Sequence, residues 1–192
     1  MPAAQQGCCR LMHRQHLLGL LDDYLRRWPV ELAVVERFRE FVSAEERCFE
    51  ADCWAGHVTG SAWLVNAART HVLLTHHKKL GRWLQLGGHS DGEPDALRVA
   101  LREAGEESGL AVEPLSPRVF DLDVHAIPAR RGDPAHYHFD VRFALCADAG
   151  QDFVVSGESF DLAWVEVAEI AAYTQEESML RMRDKWLLCA AP

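Results

Sequence analysis

Near the start of the chain, hydrophobic positions recur at intervals of three and four. Leu17, Leu18, Leu21, Tyr24, Leu25 and Trp28 form one stripe, which predicts an amphipathic helix ending before Pro29. Leu32, Val35, Phe38, Phe41 and Val42 form a second stripe of the same kind. Together they predict an N-terminal helical extension over residues 1–55, whose apolar faces must pack either on the main domain or on a second subunit. The pattern then changes to short runs rich in β-branched and apolar residues. HVTGSAWLVN reads as a strand, AART as a turn and HVLLT as the partner strand. WLQLGG predicts another short strand running into a glycine turn, and further strands are expected around 117–127, 138–146 and 162–167, with RRGDP as the loop between the first two. Near the end, Thr174 and Glu177 have capping-box spacing, and Met179, Leu180, Arg183, Trp186 and Leu187 continue a helical period.

Composition adds exclusions. A length of 192 residues suits one domain with a helical appendage. With 48% apolar and 26% charged residues, neither a disordered chain nor a fibrous repeat fits. A formal charge of −9 disfavours nonspecific attraction to nucleic acid or anionic lipid. No run approaches the roughly 18 apolar residues of a membrane span, and MPAAQQGCCRLMHRQH lacks the apolar core of a signal peptide. A cytoplasmic chain is therefore expected. Cys8, Cys9, Cys48, Cys53, Cys146 and Cys189 include no CxxC pair and are expected to be free thiols.

The chemistry is concentrated in residues 87–110, GGHSDGEPDALRVALREAGEESGL. The segment predicts a helix that starts at Pro94 and stops at Gly109. Leu97, Ala100, Leu101 and Ala104 fall on one apolar stripe at about 100° per residue. Glu103, Glu106 and Glu107 share a different face at spacing i, i+3 and i+4, where their mutual repulsion calls for a cation. Carboxylates suit hard divalent ions such as Mg²⁺ or Mn²⁺, which leave coordination positions free for water and substrate phosphates. Arg102, four residues before Glu106, is placed to brace it. The competing reading is a solvated acidic face. Gly105, in mid-helix, is expected to mark close packing against a neighbouring element, because glycine there costs about 1 kcal/mol relative to alanine.

This segment resembles the signature of the Nudix hydrolases, G-x5-E-x7-R-E-U-x-E-E-x-G-U, where U is aliphatic. Gly88 stands at the first glycine, Arg102 and Glu103 at the R-E pair, Ala104 at a usually bulkier position, Glu106 and Glu107 at the E-E pair, and Gly109 and Leu110 at the close. One position departs. Pro94 occupies the place of the first signature glutamate and Glu93 sits one residue early, so either the loop rearranges to bring Glu93 into place or that role is absent.

The resemblance implies a Nudix-type α/β/α sandwich with a mixed sheet over residues 56–192. It implies bound Mg²⁺ or Mn²⁺ held by Glu103, Glu106 and Glu107, supported by Arg102. The substrate it implies is a small nucleotide-like diphosphate, a nucleoside diphosphate linked to another moiety. The general base would be Glu103 or a carboxylate from a separate loop, a role for which Glu158 in SGESFDLAW stands out beside a predicted strand. Gly88, His89 and Arg130 are the expected substrate contacts. His136 and His138, at i and i+2, share one strand face and are expected to look across a hairpin at His125; imidazoles prefer softer ions than Mg²⁺. Loop residues His76, His77, Lys78, Lys79 and Arg82 are a second basic group suited to phosphate. Competing with hydrolysis are a catalytically inactive nucleotide-sensing module of the same fold, motivated by the misplaced Glu93, and isomerisation of a prenyl diphosphate. RNA-cap removal fits the net charge poorly.

Overall fold

The strand β1, His57–Val65, is buried along its whole length because strands cover both of its edges and packed cores cover both of its faces. The computed structural model describes residues 3–130, 132–147, 152–157 and 159–190, with side chains of 3–13 and 190 outside the description. In it, β1 pairs antiparallel with β2 (His71–His77) and with β4 (Leu86–His89), and parallel with β6 (His136–Ala147). β6 in turn pairs antiparallel with β5 (Val112–Ile127), and β2 pairs with β3 (Arg82–Leu84) and β7 (Ser159–Glu166). The result is a seven-stranded mixed sheet. The expected strand WLQLGG is in fact two: β3 joins β2 and β4 joins β1, with Gln85 between them.

Alternation along the paired strands separates two cores. On one face, Val58, Ala62 and Leu64 of β1 and Phe139, Val141, Phe143 and Leu145 of β6 pack under α1 (Ala3–Arg27), α2 (Leu32–Ala44) and α3 (Ala96–Ser108). On the other, Trp63 and Val65 join Val72, Leu74, Met179, Met182 and Trp186, the last three from α4 (Glu177–Ala190). Helices therefore cover both faces, as the resemblance implied.

The N-terminal stripes pack on their own chain. Leu17, Leu21, Tyr24, Val35, Phe38 and Val42 are fully buried and belong to the same core as β1 and β6. Helix α1 begins well before Leu17 because residues 3–16 are helical without continuing the apolar stripe that periodicity detects. Around the edge strand β5, Lys185 of α4 reaches Tyr24, Glu31 and Asp121, tying the terminal helices together. Helix α4 starts at Glu177, but Thr174 Oγ1 accepts from Glu176 N–H (3.3 Å), one residue short of the capping-box pairing. Among the described residues, Cys48, Cys53, Cys146 and Cys189 are free thiols, and no helix is long and apolar enough to cross a membrane.

Candidate active site

Asp95 sets where α3 begins. Its carboxylate accepts from the N–H groups of Leu97 (3.1 Å) and Arg98 (3.4 Å), so the first helical residue is Ala96 rather than Pro94. Two otherwise unpaired amides gain a charged acceptor, which outweighs the preference of proline for the first turn. Gly109 ends the helix in the left-handed conformation, φ 72°. The buried stripe is Ala96, Val99, Ala100 and Ala104, and it lies so close to β1 that a Cβ on Gly60 would stand 2.8 Å from Val99 Cβ. Gly105 does not have the close neighbour expected of it: a Cβ there would meet only the Leu110 carbonyl, at 3.8 Å.

With α3 fixed against β1, its second face meets β4. Glu103 is half-buried against Gly88, whose missing Cβ would lie 2.6 Å from the Glu103 Cδ. One turn on, Glu107 Oε1 accepts from Gly87 N–H at 3.0 Å. Arg102 Nη2 donates to the His89 carbonyl (2.6 Å) and to Glu103 Oε1 (2.7 Å). It braces Glu103, not Glu106 as the i, i+4 spacing suggested, because its reach to β4 carries the guanidinium past the Glu103 carboxylate. Glu106 is exposed on the same arc. Burial pushes the Glu103 carboxyl above its ordinary range; Arg102 opposes this, while the charges of Glu106 and Asp91 add to the rise. A divalent cation would relieve that repulsion.

Residues 56–185 match the family model described as NUDIX domain. The chain belongs to the NUDIX family. It is 30% identical over 126 residues to the protein named "Putative 8-oxo-dGTP diphosphatase 3" of Mycobacterium tuberculosis, covering 60% of this chain and 55% of that one; the chain thus spans about half the length of the curated relatives it matches. Among solved structures, a NUDIX-family hydrolase from Clostridium perfringens aligns with a TM-score of 0.51 and 26% identity, over 69% of this chain and 97% of the other. A Nudix hydrolase from M. smegmatis, RenU, aligns with a TM-score of 0.51 and 22% identity, over 71% of this chain and 89% of the other, a likeness of fold.

Within this NUDIX chain the remaining expectations fall in different places. Glu93 accepts from Asp95 N–H (3.1 Å) and faces Arg98 (3.3 Å), so its carboxylate is engaged at the start of α3. Asp91, which sequence reasoning passed over, acts electrostatically on Glu103, Arg102 and His57. Its signal was the DG pair after GGHS: Asp91 takes a positive φ of 49°, which aspartate tolerates better than most residues. Glu158 and Arg131 lie outside the described residues.

Arg130 lines a cavity of about 640 Å³ together with Lys79, Gln85, His125 and Arg142. Of the second basic group, Arg82 is paired with Glu176 (2.6 Å), Lys78 donates to the Gly157 carbonyl (2.8 Å) and His76 stacks on Trp83. Below the cavity, the buried Asp140 accepts from Thr59 Oγ1 (2.9 Å), Ser61 Oγ (2.7 Å), Arg142 Nε (2.7 Å) and Gln85 Nε2 (3.2 Å). His125 and His138 are register partners as expected, and parallel pairing adds His57 opposite His138.

Proposed function

We propose that this chain is a divalent-metal-dependent hydrolase that cleaves a diphosphate linkage in a nucleoside diphosphate linked to another moiety. The carrying observation is the joint between α3 and β4, where Glu103 and Glu107 abut two consecutive glycines and Arg102 clamps both Glu103 and the strand. The donor set is all carboxylate, and burial, with the charges of Glu106 and Asp91 adding to it against Arg102, raises the Glu103 carboxyl, a cost that a hard cation would relieve. Glu103, Glu106 and Glu107 would hold Mg²⁺ or Mn²⁺, which when bound neutralises charge on the phosphoryl oxygens and acidifies a water.

The protein's own groups do the rest. Arg102 keeps the Glu103 carboxylate oriented. Gly88 leaves the room that carboxylate needs, and the backbone at Gly88 and His89 forms the wall beside it. Lys79 and Arg130 put cationic groups on the cavity wall, where phosphate oxygens can be bound. Glu158, with Glu103, is the carboxylate we assign to accepting a proton from the attacking water; unchanged turnover in Glu158→Gln would leave Glu103 in that role alone. Residues 1–55 act as a helical cover for the catalytic domain, 56–192, and the chain works in the cytoplasm.

The name of the mycobacterial relative brings oxidised deoxynucleoside triphosphates into the substrate set. The test is formation of a nucleoside monophosphate from nucleoside diphosphate sugars, ADP-ribose, dinucleoside polyphosphates and deoxynucleoside triphosphates with Mg²⁺ or Mn²⁺. Turnover of at least one, lost with EDTA, is expected. A folded protein that turns over none would overturn the proposal.

A further inference from the structure

Apart from the carboxylates of α3, four strands bring a set of imidazoles together. His57 opens β1 and stands in register with His138 of β6. His89 closes β4, in register with Thr59, two residues along β1 from His57. One nitrogen from each of His57, His89 and His138 lies within 4.8 Å of the others. The His136 Nε2 is 3.3 Å from His138 Nε2, and His125 stands beside His138 with ring centroids 5.4 Å apart.

His57 is 1% exposed, yet neither of its ring nitrogens has a hydrogen-bond partner. The Cys53 backbone is near enough to favour the protonated ring through a hydrogen bond, but in the neutral ring neither nitrogen meets a partner in good geometry. A buried imidazole left in that condition loses hydration without compensation, which is costly unless something fills the place of the missing partner. Two of the neighbouring rings have one nitrogen committed to an acceptor, which leaves the other with its lone pair. His136 Nδ1 lies 2.8 Å from the Pro134 carbonyl, which can only accept, so Nδ1 carries the proton and Nε2 its lone pair. His125 Nδ1 bonds the Asp123 carboxylate at 3.0 Å in the same sense. A ring nitrogen donating to a carbonyl or carboxylate while the other looks into a shared space is the outer support that metal-binding histidines ordinarily have. Burial, reinforced by the neighbouring rings, keeps His57 and His138 neutral, with pKa values lowered to about 4 and about 2.

We propose that His57, His89 and His138 form a second metal site, separate from the carboxylate site, that binds a first-row transition ion of the Zn²⁺ class, with His136 able to supply a fourth nitrogen. Neutral imidazoles without carboxylates disfavour Mg²⁺ and suit Zn²⁺, Co²⁺ or Ni²⁺. A tetrahedral ion about 2.0–2.1 Å from each nitrogen needs them roughly 3.3 Å apart, the separation His136 and His138 already have. The nitrogens of His57, His89 and His138, within 4.8 Å of one another, would close to that spacing on binding. Such an ion would link β1, β4 and β6 next to the cavity. Through β4 it would fix the His89 carbonyl that anchors Arg102. The site does not depend on the hydrolase reading, since its evidence is the imidazole geometry.

The experiment is Zn²⁺ binding to the full chain by competition with a chromophoric chelator in millimolar Mg²⁺, with native mass spectrometry for stoichiometry and the visible spectrum of the Co²⁺ form. We expect one tightly held Zn²⁺ per chain and a Co²⁺ spectrum of a four-coordinate nitrogen site. His89→Gln, at an exposed position that folding does not need, and His57→Asn should each weaken binding by more than the about 10–100-fold that loss of an outer-shell partner costs. Glu106→Gln should leave it unchanged. Zn²⁺ affinity untouched in a folded His89→Gln variant, or lost in Glu106→Gln, would overturn the site. If His57→Asn does not fold, the His89→Gln result alone decides.

Discussion

Gly88 has no side chain because the Glu103 carboxylate fills the place where one would go. A Cβ added there would stand 2.6 Å from Glu103 Cδ, and the group that must give way is the end of a flexible side chain rather than backbone. Gly88→Ala should therefore fold with little change in melting temperature while turnover falls on the order of 10²-fold, the scale of losing one aligned polar group in a reacting site. Parallel melting and steady-state assays check it, and an active Gly88→Ala enzyme would contradict the placing of Glu103. Glu106→Gln and Glu107→Gln should lower turnover by a similar factor or more. Glutamine at 107 can still accept from Gly87 N–H, so any loss there reports the missing charge rather than a displaced strand. These carboxylates were legible in the sequence because helical spacing is local. Asp91 was not, because its influence comes from a left-handed loop residue that no periodicity marks. Arg102 was read onto the wrong glutamate for a related reason: its other partner, the His89 carbonyl, belongs to a strand that helical geometry alone does not supply.

At the scale of elements, α3 contains one stabilising and one costly choice, and each can be tested without touching the chemistry. Asp95 caps two amides, so Asp95→Ala should cost about 1 kcal/mol. Gly105 sits in mid-helix with room for a methyl group, so Gly105→Ala should stabilise by about 1 kcal/mol. Urea titrations of both variants check the pair, and a destabilised Gly105→Ala would show that a neighbour does approach that face. The helices and strands near their own partners in sequence were readable from pattern, including the β5–β6 hairpin that sets His125 opposite His138. The parallel pairing of β1 with β6 was not, since its register joins residues 81 apart, as Thr59 and Asp140 show. Consequently His57 read as an ordinary strand residue, and the polar floor built on Asp140 went unseen.

The whole molecule is closed by a buried ionic group around Asp121 that joins β5, β6, α4 and the N-terminal helices. Asp121 is fully buried and meets Arg142 (3.1 Å), Arg181 (2.8 Å) and Lys185, which in turn reaches Tyr24 and Glu31. Asp123 shares both arginines and Asp140 pairs with Arg142. Burial alone would raise the Asp121 carboxyl, but the Arg181 hydrogen bonds and the charges of Arg142, Arg181 and Lys185 outweigh it and hold the group below its usual range; Asp123 is likewise held low. A carboxylate whose folded pKa is depressed contributes stability above its unfolded pKa, near 3.9, and loses that contribution as pH falls through the folded value. Stability should therefore begin to fall below about pH 6.5, where the unfolded chain protonates His57 and His138 while the fold keeps them neutral, and drop more steeply below about pH 4 as the carboxylates take up protons. Removing one partner from such a buried group costs about 3–5 kcal/mol, so Asp121→Asn should lower stability by that amount at neutral pH. It should also flatten the acid limb, because the group that titrates there is gone. Chemical denaturation of wild type and variant from pH 3 to pH 7 separates the two effects. Parallel curves offset by a constant would show that Asp121 is not the group whose protonation opens the joint between the terminal helices and the sheet.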